Sequence, residues 1–149
     1  MQNSLTGRGK ILKLYISQEG DTPRSLREEI FVDEHGVIGD KFYGRDASRS
    51  ILITAIDSYQ LAEERGISVP LGSLGENILL DYNPYDIPSG VPFQIGEALL
   101  EITQNCTLCK SLTKIDNKLP KLLKNDRGVF ARVLKEGTIR IDDMLQFDA

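Results

Sequence analysis

The chain has 149 residues and a net charge of −4; 40% of its residues are hydrophobic and 27% are charged. That size and balance describe a single globular domain over residues 1–149 and exclude wholesale disorder. The acidic excess argues against a protein held mainly on a nucleic-acid backbone, and 7% aromatics with no Trp make a poor base-stacking platform.

Gly7–Arg8–Gly9–Lys10 reads as a mobile terminus. Ile11–Ile16 follows as an apolar-rich strand with Lys13 interrupting it. Glu29–Val32 is a second strand, closed by a turn at His35–Gly36. Ser50–Ile56, rich in Ile and Thr, predicts a buried strand. Asp57 with Gln60 three residues on resembles a capping box, which starts a helix running through Arg65 to Gly66 at C′. Asn77–Leu80 is the next strand, and the Pro- and Gly-bearing stretch Asp81–Pro92 is a surface loop. Ala98–Thr103 then leads to a helix beginning near Cys109. Leu108, Leu112, Ile115 and Leu119 share one face of it, until Pro120 breaks or kinks it and Leu122–Leu123 make a short second turn. Val129–Leu134, Thr138–Ile141 and Met144–Phe147 complete about eight strands, at the spacing of an all-β sandwich or barrel.

No apolar stretch of signal-peptide length follows the first residues, and the longest apolar-rich run, Ile51–Ile56, is far short of a membrane span. The expectation is a soluble cytoplasmic protein with no membrane or nucleic-acid partner, its oligomeric state open.

Only a few residues can carry chemistry. His35, the sole histidine, lies in a turn with no partner motif, so it reads as a solvent-exposed turn residue. With Cys106 and Cys109 it gives three zinc ligands where four are needed, unless chains share a site. Cys106–Thr107–Leu108–Cys109 has three readings: two small buried hydrophobes, a dithiol redox pair, or a single sulfur-accepting thiolate. A strand before it and a helix after it would put one cysteine at a helix start, where the dipole and the nearby Lys110 and Lys114 favour the anion. Lys110, Lys114, Lys118, Lys121 and Lys124 would form a stripe on that helix, ordinarily a solvated face and otherwise a rim for an anion. Arg45 and Arg49 follow Gly44 as a second basic pair suited to phosphate. Gly72–Asn77 is glycine-rich but is followed by a strand and lacks the Gly-Lys-Ser/Thr of a phosphate loop.

Taken in order, several segments resemble the MOSC domain, the module named after the C-terminal part of molybdenum-cofactor sulfurases. They are Gly39–Asp40–Lys41–Phe42–Tyr43–Gly44, Arg49 before an apolar strand, Gly75–Glu76–Asn77–Ile78, Ile95–Gly96, Leu100–Thr103 leading to the cysteine, Gly128–Leu134, Gly137 and Asp143. The resemblance runs from about Lys10 to Phe147. The chain departs from the family pattern at Cys106 and Leu108, where many members have Arg and Pro, at Phe42, where many have His, and at Asp142–Asp143, where the family has Gly-Asp.

The resemblance implies a mainly β fold, a MOSC-like barrel with two or three short helices. It implies a molybdopterin-type molybdenum cofactor and a recurrent cysteine, here Cys109, that carries sulfur or approaches the metal. It further implies sulfur transfer or cofactor-dependent reduction of N-hydroxylated compounds, with a cofactor-biosynthesis or sulfur-donor protein as partner. No pyridoxal phosphate is expected in this chain. On this reading Cys109 is catalytic and the metal-proximal residue, and Cys106 supports or resolves it. Arg49, Arg45 and Asp40 belong to the cofactor side, Glu76 and Asn77 orient the loop or contact the pterin, and Lys110 lowers the thiolate pKa. Two rivals stay open: a non-catalytic module that delivers or stores the cofactor, and a Cys-x-x-Cys dithiol redox protein.

Overall fold

The protein is described by a computed structural model covering residues 6–18, 24–85, 87–106, 110–113, 115–124 and 126–148. Its strands are β1 (Thr6–Ile16), β2 (Ser25–Arg27), β3 (Glu29–Asp33), β4 (Gly36–Val37), β5 (Ile51–Ala55), β6 (Ile78–Leu80), β7 (Pro92–Ile95), β8 (Ala98–Asn105), β9 (Val129–Lys135), β10 (Gly137–Arg140) and β11 (Met144–Asp148). Its α-helices are α1 (Ile56–Glu64), α2 (Lys110–Thr113) and α3 (Leu119–Leu122), with a 3₁₀ turn at Ala47–Arg49.

Seven strands close a barrel in the order β1–β6–β5–β9–β8–β7–β11 and back to β1. Closure comes from the first half of β1, where Gly7 faces Phe147 and Gly9 faces Leu145. The Gly7–Lys10 segment is therefore a barrel strand and not a loose terminus. β2 extends β1, while β10, β3 and β4 form a separate small sheet. All barrel pairs are antiparallel except β5–β6, where Ile53 faces Ile78 and Thr54 faces Leu79. A parallel pair cannot be joined by a hairpin, and α1 with residues 65–77 makes the crossover.

That crossover explains why β5 and β6 read as continuous apolar runs. Ile51, Ile53, Ile78 and Leu80 fill the barrel. On the opposite face, Leu79 packs with Tyr15, Tyr59, Ala62, Leu112, Leu119 and Leu123 under the helices. A strand covered on both faces loses the alternation of a half-exposed one.

Three local expectations are corrected. α1 starts two residues earlier, at Ile56, and its cap is Ala55, the extended last residue of β5, with no side-chain hydrogen bond. Strand runs straight into helix, so Asp57 sits in the first turn and does not cap it. The long helix after Cys109 is two single turns. Ile115–Lys118 separates them, with the Asp116 carboxylate accepting from the Lys118 N–H at 2.8 Å. Pro120 lies in the first turn of α3, where no backbone donor is needed, so it helps start that helix. Leu112 and Leu119 still reach one cluster, but the lysines do not line one helix; Lys118, Lys121 and Lys124 are exposed. β2, β4 and β7 were missed because they are two to four residues long, and β7 opens on Pro92, which strands tolerate only at an edge or start.

Candidate functional site

β5, β8 and β9 lie side by side, and outside the barrel they meet in a small apolar cluster of Leu52, Cys106 and Phe130. Cys106 directly follows β8; it is 3% exposed, and its N–H donates to the Gly128 carbonyl at 2.9 Å. Gly128 itself lies tight against β5: a Cβ there would stand 2.8 Å from both the Ile53 carbonyl oxygen and the Thr54 hydroxyl. The Thr103 hydroxyl donates to the Ser48 carbonyl, tying β8 to the 3₁₀ turn that precedes β5. That turn is capped by Asp46, whose side chain accepts from the Ser48 N–H at 3.0 Å. It delivers Arg49 to the cluster, with the guanidinium carbon 5.0 Å from the Phe130 ring centroid.

The second half of the site lies across β5. Asn77 bridges three elements through its side chain. Its Oδ1 accepts from the Leu52 N–H at 3.1 Å, and its Nδ2 donates to the Tyr15 carbonyl at 3.2 Å and to Asp40 Oδ1 at 3.3 Å. Asp40, 7% exposed, also accepts from the Ser17 N–H at 2.6 Å and the Phe42 N–H at 3.0 Å. Glu76 is fully buried and accepts the Tyr59 hydroxyl at 2.6 Å. Burial pushes its carboxyl above the usual range, against the opposing pull of the Tyr59 hydrogen bond. The same burial, reinforced by the Glu76 charge, raises Tyr59 well above its ordinary value and Tyr15 to about 12.

Two arginines that sequence reasoning did not single out complete the corner. Arg127, 7% exposed, donates from Nε and Nη2 to the Leu74 carbonyl at 3.2 and 3.0 Å. Arg24 pairs with Asp40 at 3.8 Å, and its buried Nη1 makes no hydrogen bond among the described residues. The Asp40 carboxylate pairs with Arg24, and Arg49 lies on Phe130. Arg24 carries no sequence signal, because its neighbours come from distant strands. Arg127 had one: it directly precedes the Gly128–Val129 strand start.

The remaining expected residues are dispersed or undescribed. Arg45 lies over the exposed Phe42 ring at 5.7 Å, on the loop after Asp40. His35 is exposed and sits edge-on to Tyr43 at 5.8 Å. Cys109 lies outside the described residues, as does the Lys110 side chain, although Lys110 opens α2. Since α2 is one turn long, it offers much less dipole than the long helix expected from the leucine spacing. Among the described residues, no three His, Cys, Asp or Glu side chains gather to hold a metal ion.

This architecture is shared with solved proteins of low sequence identity. The YuaD protein from Bacillus subtilis superposes with a TM-score of 0.78 at 17% identity, over 98% of each chain. YiiM from Geobacillus stearothermophilus gives 0.75 at 21% identity over 93% of this chain and 74% of that one. YiiM from Escherichia coli gives 0.70 at 19% over 93% and 69%. No curated protein sequence matches the chain. The family model of the MOSC domain matches residues 39–146.

The chain belongs to the MOSC domain family. Members of the family are associated with molybdenum-cofactor binding and sulfurase-like roles. The matched residues contain Asp40, Arg45, Arg49, Gly75–Asn77, Cys106, Cys109 and Arg127, whereas Arg24 lies before them. No helix among the described residues is long and apolar enough to cross a membrane.

Proposed function

We propose that this MOSC protein binds a molybdopterin-type cofactor and uses Cys109 as a sulfur carrier or metal-proximal thiolate. The observation that carries the reading is the set of three arginines, Arg24, Arg49 and Arg127, gathered around Gly75, Leu52 and Phe130 in a protein of net charge −4. The residues suit the group. A phosphorylated pterin brings an anion and a flat ring, and the corner brings guanidinium groups, one with a buried nitrogen that makes no hydrogen bond among the described residues, and an aromatic face.

On this reading Arg49 is fixed by its 3₁₀ turn and by Phe130, ready to make two parallel hydrogen bonds to an oxyanion. Asn77 and Asp40 hold β1, β5 and the loop after Asp40 in register. Cys106 walls the corner as a buried thiol. When bound, the cofactor supplies two-electron molybdenum chemistry, including reduction of an N-hydroxylated compound.

In sulfur transfer, the Cys109 thiolate attacks the terminal sulfur of a donor protein's persulfide. A new S–S bond forms on Cys109, the donor's S–S bond breaks, and the donor leaves as a thiolate. No net oxidant is needed. Lys110, next to it in sequence, favours the anionic form of the thiolate.

Fluorescence titration of the protein with molybdopterin tests the reading. Saturable one-to-one binding is expected, clearly weakened in Arg49→Lys, which keeps the charge and loses the fork. Cys109→Ser should still bind but carry no sulfur. Binding in Cys109→Ser, with no sulfur on the wild-type protein after exposure to a persulfide donor, would make the chain a delivery module. Absence of binding would contradict the proposal. A limiting alkylator should label Cys109 before Cys106, because Cys106 is buried; peptide mapping that finds Cys106 first would reverse the assignment.

A further inference from the structure

The small sheet of β10, β3 and β4 has one covered face and one bare face. Ile30, Val32, Val37 and Ile139 turn inward and join the barrel core. The outer face of such a sheet is ordinarily polar, but here it carries Phe31 and Ile38. They continue the register in which Val32 faces Val37: the Ile38 N–H donates to the Phe31 carbonyl at 2.9 Å, and the two residues are 39% and 47% exposed. Tyr43 lies along the same face, its hydroxyl donating at 2.6 Å to Asp33, two residues on from Phe31. Phe42 precedes it, and both rings are exposed. Together the four side chains bare roughly 300 Å² of apolar surface, enough to mark an interaction site.

Charge around this centre is divided. The loop 38–45 reaches β1, where the Lys41 N–H donates to the Ser17 carbonyl at 2.6 Å, and returns to the β3–β4 turn, where the Gly44 N–H donates to the His35 carbonyl at 2.8 Å. At the first end the Lys41 ammonium and the Arg45 guanidinium lie over the Phe42 ring, at 5.2 and 5.7 Å. At the other end Tyr43 sits among carboxylates. Its hydrogen bond to Asp33 does most to raise its pKa, and the negative charges of Asp33, Glu34 and Glu136 add to that. A partner of one charge sign meets repulsion on one half of this surface. A second copy related by a two-fold axis does not: the apolar side chains meet at the axis, and each copy's basic end lies on the other's acidic end.

We propose that this face is an isologous dimer interface, centred on Phe31 and Ile38, with Lys41 and Arg45 of each copy facing Asp33, Glu34 and Glu136 of the other. Nothing in the pairing depends on cofactor binding. A stable dimer buries about 800 Å² on each partner, more than the apolar centre supplies, so the dimer should be weak, with a Kd on the order of 100 μM.

Sedimentation velocity of the full chain at low ionic strength, from about 10 μM to about 1 mM, tests the pairing. Wild type should pass reversibly from monomer to dimer, and added salt should weaken the dimer. Phe31→Asp should stay monomeric. Lys41→Glu and Glu34→Lys should each weaken dimerisation roughly ten-fold or more, because each sets like charges together on both sides of the axis. An equimolar mixture of these two variants should dimerise about as well as wild type, since position 34 of one copy and position 41 of the other again carry opposite charges. Mixing would not rescue a side chain that only stabilised its own loop. Thermal melting checks that the variants are folded; if Phe31→Asp is not, the two charge variants carry the comparison. A wild type that is monomeric at about 1 mM, a dimer that persists in Phe31→Asp and both charge variants, or two weakened variants that mixing does not restore would overturn the proposal.

Discussion

At Asn77 both polar side-chain atoms are committed to three neighbouring segments, whereas at Gly75, two residues earlier, bare backbone packs beside the guanidinium groups of Arg24 and Arg127. Both belong to the Gly75–Glu76–Asn77 turn that enters β6, and both stand next to β5. The difference separates two jobs that one short motif performs. Asn77 closes a polar lattice and makes the wall rigid. Gly75, with φ +92°, lets two guanidinium groups pack against the backbone. Glu76 stands between them, buried like the lattice, and burial disfavours its charged form.

The comparison breaks most visibly at Asn77. Asn77→Ala leaves the Leu52 N–H and the Tyr15 carbonyl without this partner and removes one donor from Asp40, so it should cost about 3 kcal/mol or more, read by urea denaturation. A cost below about 1 kcal/mol would mean that the lattice does not hold the wall. Glu76 comes next, as a pH effect. Its folded-state pKa is raised, so its contribution is fully present below the unfolded value near pH 4.3 and is lost as pH rises through the folded value. Glu76→Gln should therefore gain stability relative to wild type as pH rises above about 4, measured by denaturation at several pH values. A difference that stays constant up to pH 8 would contradict the buried-acid account. Arg49→Ala should lower stability by only about 0.5–1 kcal/mol, the worth of its contact with Phe130, while clearly lowering cofactor affinity; a stability loss with unchanged affinity would assign Arg49 to structure. The smallest effect belongs to Lys121→Ala, which should change stability by less than about 0.5 kcal/mol and leave ligand binding unchanged.

Much of the fold was legible in the sequence because the apolar runs are short, Gly and Pro separate them, and the ordered motifs span most of the chain. Ile51–Ala55 and Ile78–Leu80 announce buried strands directly. What the sequence could not show was closure: Gly7–Lys10 has no strand-like composition and becomes one only by pairing with Met144–Asp148. The segment after Cys109 misled through a true signal. Its leucines do share an apolar cluster, but helix 110–113, a turn and helix 119–122 bring them there as well as one long helix would. At the site, Asp40, Arg49, Glu76, Asn77 and Cys106 were visible as motif residues, and the structure sets them around β5. Arg24 was invisible because its role depends on Asp40 and Gly75, which approach it only in three dimensions.

The central claim is that this basic corner receives a phosphorylated pterin and that Cys109 carries sulfur. Native mass spectrometry of the full chain, purified without reductant and then incubated with molybdopterin and a persulfide donor, tests it most directly. The account predicts one pterin per chain and, after denaturation and peptide mapping, one added sulfur atom on Cys109 with Cys106 unmodified. A chain that stays ligand-free, with the added sulfur absent or on Cys106, would contradict it.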